Sequence, residues 1–133
     1  MLAKGTTRQK ERIRPKNLDL LQFRFPVTSI LSILHRISGV YLVLCFPLLL
    51  YLLDVSLRGP HGFNFAQAWF GSGWGRILAS LGLWSLLHHF LAGIRFLLIE
   101  FDIGVDVQRA RKSARAVIIA APVLTLILGA WWL

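Results

Sequence analysis

Two short groups of polar residues interrupt stretches of the chain that are otherwise almost wholly apolar. The first is Ser32, His35 and Arg36, followed by Gly39; the second is His88, His89 and Arg95, with Gly93 between. A charge in hydrocarbon costs at least about 2.5 to 3.5 kcal/mol on insertion scales, so ionisable side chains inside apolar runs point first to function. Imidazole can ligate iron, and a guanidinium can offset the burial of an anion. Spaced i, i+3, i+4 and i+7, Ser32, His35, Arg36 and Gly39 share one helix face. Gly82, Ser85, His89 and Gly93 recur at three and four residues, a narrow stripe of small side chains around one imidazole. Such a stripe permits close helix packing, and a flat macrocycle needs the same clearance.

The elements that carry these residues are long. Ile30 to Leu53, Ile77 to Ile99 and Ala116 to Leu133 can each cross a hydrocarbon core of roughly 30 Å at about 1.5 Å per helical residue. Runs such as Leu48-Leu49-Leu50-Tyr51-Leu52-Leu53 are apolar on every side, whereas a β-barrel strand alternates. The fold class is therefore all-α integral membrane, with three transmembrane helices in one domain spanning residues 1–133. Composition agrees, since 56% of the 133 residues are hydrophobic, too many for a soluble domain of this size. Cys45 lies alone in an apolar run, which excludes a disulfide framework or cysteine metal site and makes it a packing residue.

The net charge of +9 is a topological signal and not a nucleic-acid stripe. Lys4, Arg8, Lys10, Arg12, Arg14, Lys16 and Arg24 precede the first span, and Arg109, Arg111, Lys112 and Arg115 lie between the second and third. The first connection carries only Arg58 and Arg76. The positive-inside rule then puts the N-terminus, a basic segment over 1–28, in the cytoplasm and the C-terminus outside. This opening is too long for a secretory n-region and is read as retained; without a long Arg- and Ser-rich transit segment it favours a bacterial chain. Pro26, Thr28 and Ser29 suit a helix start with a capping hydroxyl. Gly59-Pro60 and Gly71-Ser72-Gly73 punctuate the outer loop, where Trp69 and Trp74 suit the interfacial belt. Gly71 and Gly75 make a GxxxG match outside any span, which carries little weight. Arg36 lies roughly 9 Å and His89 roughly 15 Å below the same surface. A haem ligated by His89, with carboxylates turned to the cytoplasm, would bring those anions near Arg36 and His35. The residues alone support a membrane site for an anionic or redox ligand.

Arg14-Pro15-Lys16-Asn17-Leu18-Asp19-Leu20, Ser32-Ile33-Leu34-His35-Arg36-Ile37-Ser38-Gly39 and His89-Phe90-Leu91-Ala92-Gly93-Ile94-Arg95 resemble successive signatures of the succinate dehydrogenase cytochrome b556 subunit family. The resemblance implies that His89 is one axial ligand of haem b, a second membrane-anchor subunit supplying the other. It also implies that Ser32 and Arg36 line a ubiquinone pocket, that His35 and Arg36 approach the haem propionates, and that Phe25 helps to wall the pocket. The chain departs from the pattern at Phe96, where many relatives have histidine, and at Glu100, where aspartate is common. His88 competes for the axial role; a helix turns it about 100° from His89, and the spacing to Gly93 favours His89. Arg95 is open between contacting a partner or haem carboxylate and snorkelling to headgroups. His61 in the outer loop is read as solvated.

No dinucleotide fingerprint or iron–sulfur cysteine set is present, so succinate oxidation and the cluster relay fall to partners. The resemblance implies a flavoprotein and an iron–sulfur subunit for these tasks, with quinone reduced near the cytoplasmic surface of the bacterial inner membrane. Three spans would leave the polar face of the first helix in lipid, so a second helical subunit is physically required. A fumarate reductase anchor, a non-catalytic scaffold and a small transporter are the rival readings.

Overall fold

The computed structural model describes residues 25–130, and over them the chain is helical with no strand. Four helices follow in order: α1 Val27–Leu57, α2 Pro60–Gly71, α3 Gly73–Glu100 and α4 Val107–Gly129. Of these, α1, α3 and α4 are long and apolar enough to cross a membrane. The basic residues up to Arg24, the Arg14–Leu20 signature and the chain end after Ala130 lie outside the described residues.

Each long helix overruns the expected span at one end or both, because hydropathy marks only the part in hydrocarbon. Helical hydrogen bonding continues through the interface until a cap or a turn stops it. Ser72 caps α3, its Oγ accepting from the Gly75 N–H at 3.0 Å. Asp106 caps α4, its carboxylate accepting from Gln108 N at 3.2 Å and Arg109 N at 3.3 Å. The basic residues Arg109 to Arg115, expected in a loop, therefore occupy the first turns of α4. At the start of α1 the expected hydroxyl cap is absent: Pro26 is the cap residue, no side chain caps it, and Thr28 and Ser29 lie inside the helix.

The connection between the first two spans holds a helix where a loop was expected. Gly59, at φ 121°, turns the chain in a region closed to most side chains. Pro60 then opens α2, where its missing N–H costs nothing. Gly62 and Gly75 sit against backbone from neighbouring turns. A Cβ on Gly62 would fall 2.0 Å from the Val55 carbonyl oxygen, and one on Gly75 would fall 1.9 Å from that of Trp69. The second glycine of the GxxxG match thus serves a local corner.

At the other end, α3 stops in a Schellman motif, with Ile103 N–H donating to Leu98 O and Asp102 N–H to Ile99 O, both at 2.9 Å. Asp102 takes the left-handed position at φ 58°. Beside this turn α1, α3 and α4 meet around buried Leu31, Ala92 and Ala114, flanked by Val27, Phe96, Val117 and Ile118. Small residues at the centre let the backbones approach closely. Large apolar side chains such as Val43, Leu44 and Phe90 point outward, which suits a lipid solvent.

Candidate functional site

Where α1 passes α3, two glycines make room for two imidazoles. A Cβ on Gly39 of α1 would lie 2.9 Å from Cε1 of His89, and one on Gly93 of α3 would lie 3.9 Å from Nε2 of His35. The rings therefore interleave across the helix pair, with centroids 4.0 Å apart and planes 11° from parallel. Phe96 meets the His35 ring edge-on at 5.2 Å.

The hydrogen bonds settle which nitrogen of His89 carries hydrogen. Its Nδ1 lies 3.0 Å from the His35 carbonyl oxygen. A carbonyl only accepts, so Nδ1–H donates, and in the neutral ring Nε2 then carries the lone pair. His89 also borders an open, largely apolar groove of about 510 Å³, whose wall is formed with His35, Arg36, Gly39, Val40, Val43 and Leu44. A histidine ligand to a metal characteristically donates its second nitrogen to a carbonyl or carboxylate, which fixes the ring's orientation. An iron-bearing macrocycle with acidic substituents would need that histidine, clearance beside it and a cation at the rim. His89, Gly39 and Arg36 fit those needs.

Residues 10–128 match the family described as the succinate dehydrogenase/fumarate reductase transmembrane subunit. The chain belongs to this family. It is 38% identical over 119 residues to a protein of Coxiella burnetii (strain RSA 493 / Nine Mile phase I) named succinate dehydrogenase cytochrome b556 subunit, covering 89% of this chain and 95% of the relative. A protein of Paracoccus denitrificans with the same name is 33% identical over 115 residues, covering 86% of this chain and 88% of the relative. Membership and the three long apolar helices make the chain a multi-pass membrane protein of the succinate dehydrogenase/fumarate reductase transmembrane family.

Within this family member the expected site residues divide. His35, Arg36 and His89 come together at the groove. Ser32, half-buried, lies one turn before Arg36 on α1 and is not part of the groove wall, nor is Phe25, which precedes the cap residue Pro26. His88 is not part of the groove wall: it is 1% exposed and stacks on Trp84 at 5.3 Å. Its Nε2 is buried with no hydrogen-bond partner among the described residues. Arg95 is engaged inside the bundle, its Nε donating to Ser113 Oγ at 3.0 Å and its Nη2 to the Ala110 carbonyl at 3.2 Å. Neither expected alternative for Arg95 includes this docking on α4, because the segment from Arg109 to Arg115 is expected between two spans.

Ser38 had no role assigned from the sequence, although it stands in the Ser-x-x-His-Arg-x-Ser-Gly block. It is fully buried, donates to the His35 carbonyl at 2.8 Å and lies 3.3 Å from His89 Nδ1. Its spacing of three from His35 is the only trace of this in the sequence.

Proposed function

We propose that this chain is a membrane-anchor cytochrome b subunit of a bacterial succinate:ubiquinone oxidoreductase, holding half of a haem b site and part of a ubiquinone site. The observation that carries the reading is His89 itself: it borders the groove with Nδ1 tied to a backbone carbonyl and Nε2 free to ligate iron. The names of the two relatives support the choice of complex. Haem b, when bound, supplies a one-electron carrier beside the quinone.

The chain's own residues would do the following. His89 would hold the haem iron through Nε2, with a second anchor subunit supplying a further ligand. His35 and Arg36, in the groove wall, would hold the haem carboxylates, where the guanidinium offsets buried negative charge. Ser32 donates a hydrogen bond to one quinone carbonyl oxygen and fixes the headgroup's orientation. Arg36 stabilises the negative charge that grows on that oxygen as electrons arrive. Phe25 helps to wall the pocket. Two electrons from succinate, relayed by the flavoprotein and iron–sulfur partners, and two protons from the aqueous side then convert quinone to quinol.

The basic segments support an orientation in the inner membrane with the N-terminus cytoplasmic and the C-terminus periplasmic. Because the family description covers both enzymes, an anchor of a fumarate reductase, oxidising quinol, is the second reading. Preferred substrate and quinone potential separate the two. The decisive experiment is a reduced-minus-oxidised optical spectrum of the purified complex and of its His89→Ala variant. The low-spin b-type spectrum should be lost in His89→Ala and retained in His88→Ala; a scaffold subunit would show no such spectrum at all. Ser32→Ala and Arg36→Ala should impair quinone reduction in an assembled complex, and unchanged rates would remove them from the site.

A further inference from the structure

We infer that Ser38 is a positioning residue for the haem-ligating imidazole, holding His89 in the tautomer that leaves Nε2 free. The inference rests on the proposed axial role of His89 and adds a residue to it.

The accounting of hydrogens carries the argument. A serine hydroxyl has one hydrogen and two lone pairs. Ser38 sends its hydrogen to the carbonyl oxygen of His35, one turn earlier on α1, at 2.8 Å. That local bond fixes the direction of Oγ, as back-bonded serines in helices do. What Oγ then offers to His89 Nδ1, at 3.3 Å, is a lone pair. With the Ser38 hydrogen so engaged, Nδ1 meets two acceptors, the His35 carbonyl at 3.0 Å and Ser38 Oγ. With hydrogen on Nε2 instead, the Nδ1 lone pair would face the His35 carbonyl oxygen, and Ser38 could satisfy it only by turning its hydroxyl hydrogen away from that carbonyl and losing the 2.8 Å bond.

Ser38 is 0% exposed, so water has no access to replace it. Its position is also set by the adjoining Gly39, whose missing side chain lets the His89 ring lie against α1 at this turn. Acceptors behind Nδ1–H increase the electron donation of an imidazole to its metal, which favours the oxidised iron and lowers the reduction potential. Deleting one acceptor should therefore raise the potential and loosen the ring plane.

The test uses the assembled membrane complex carrying Ser38→Ala or Ser38→Thr, the second retaining a hydroxyl. Haem content, midpoint potential by redox titration and the low-spin ferric EPR signal are measured in each. Ser38→Ala should keep its haem, with the potential shifted upward and the largest g value displaced, and Ser38→Thr should stay near the wild type. Partial haem loss in Ser38→Ala that Ser38→Thr restores supports the same conclusion. A wild-type potential and EPR signal in Ser38→Ala, a downward shift, or equal haem loss in both variants would overturn it. Failure of the axial assignment is read separately: His89→Ala would then retain the full low-spin spectrum.

Discussion

His35 and His89 are stacked across the α1–α3 contact, 4.0 Å apart and 11° from parallel, each ring lying opposite a glycine of the other helix. The two glycines are not equivalent, and the difference can be measured. An alanine methyl at position 39 would press on His89 Cε1 at 2.9 Å, whereas one at position 93 would make ordinary contact with His35 at 3.9 Å. Gly39→Ala should destabilise the bundle by about 1–3 kcal/mol through overpacking and disturb any haem spectrum. Gly93→Ala should change neither by much. Equal effects in thermal unfolding and optical spectra would contradict the interleaved geometry.

Arg95 is 6% exposed and donates to two oxygens of α4. Its replacement by methionine should cost about 1.5–3 kcal/mol, the range for hydrogen bonds from a charged group. Arg95→Lys should recover only part of this, since an ammonium lacks the planar fork. Both variants should keep a normal haem spectrum once assembled. Loss of the spectrum without loss of stability would return Arg95 to the haem site.

Capping hydroxyls offer a comparison within one protein. Ser72 Oγ accepts from Gly75 N and donates to the Trp69 carbonyl at 2.6 Å, joining α2 to α3. Ser72→Ala should cost about 0.5–2 kcal/mol. Thr28→Ala and Ser29→Ala, inside α1, should stay within about 0.5 kcal/mol of the parent. Denaturation in one detergent at matched concentration would rank the three.

Asp102 holds the left-handed position of the Schellman turn with φ 58°. Asp102→Gly removes the steric penalty there and should stabilise the turn by about 0.5–1 kcal/mol, less what glycine costs in unfolded-chain entropy. Asp102→Val should destabilise by about 1–2 kcal/mol, because a branched side chain tolerates that conformation poorly. Hydrogen exchange at Ile103 N–H, which donates to Leu98, reports the effect locally.

Hydropathy made the three long helices legible because it records the solvent each segment must meet. It was blind to α2, whose ends use Gly59, Pro60, Gly71 and Ser72, the same residues that make loops. Of the site, the gathering of His35, Arg36 and His89 followed from helical spacing and depth, since both clusters sit at related heights. Ser38 escaped notice because its partner His89 is 51 residues away, and spacing along one helix carries no information on register against another. Arg95 is ambiguous in the sequence for the same reason: its partners Ser113 and Ala110 lie 18 and 15 residues away, on the early turns of α4 that hydropathy leaves outside the third span.

Gly62 and Gly75 leave the corner between α1, α2 and α3 no slack, since backbone oxygens fill the space beside each. The two long helices thus behave like the arms of tongs joined at α2. Their grip on the imidazole pair lies roughly 21 Å along α3 from Gly75. A substitution at the hinge, too distant to touch either ring, would act through leverage: a small change in the opening angle becomes a change in ring spacing at the far end. Mutations that alter the surroundings of His35 and His89 should therefore include some in the corner around α2, at the opposite end of the helix pair from the rings.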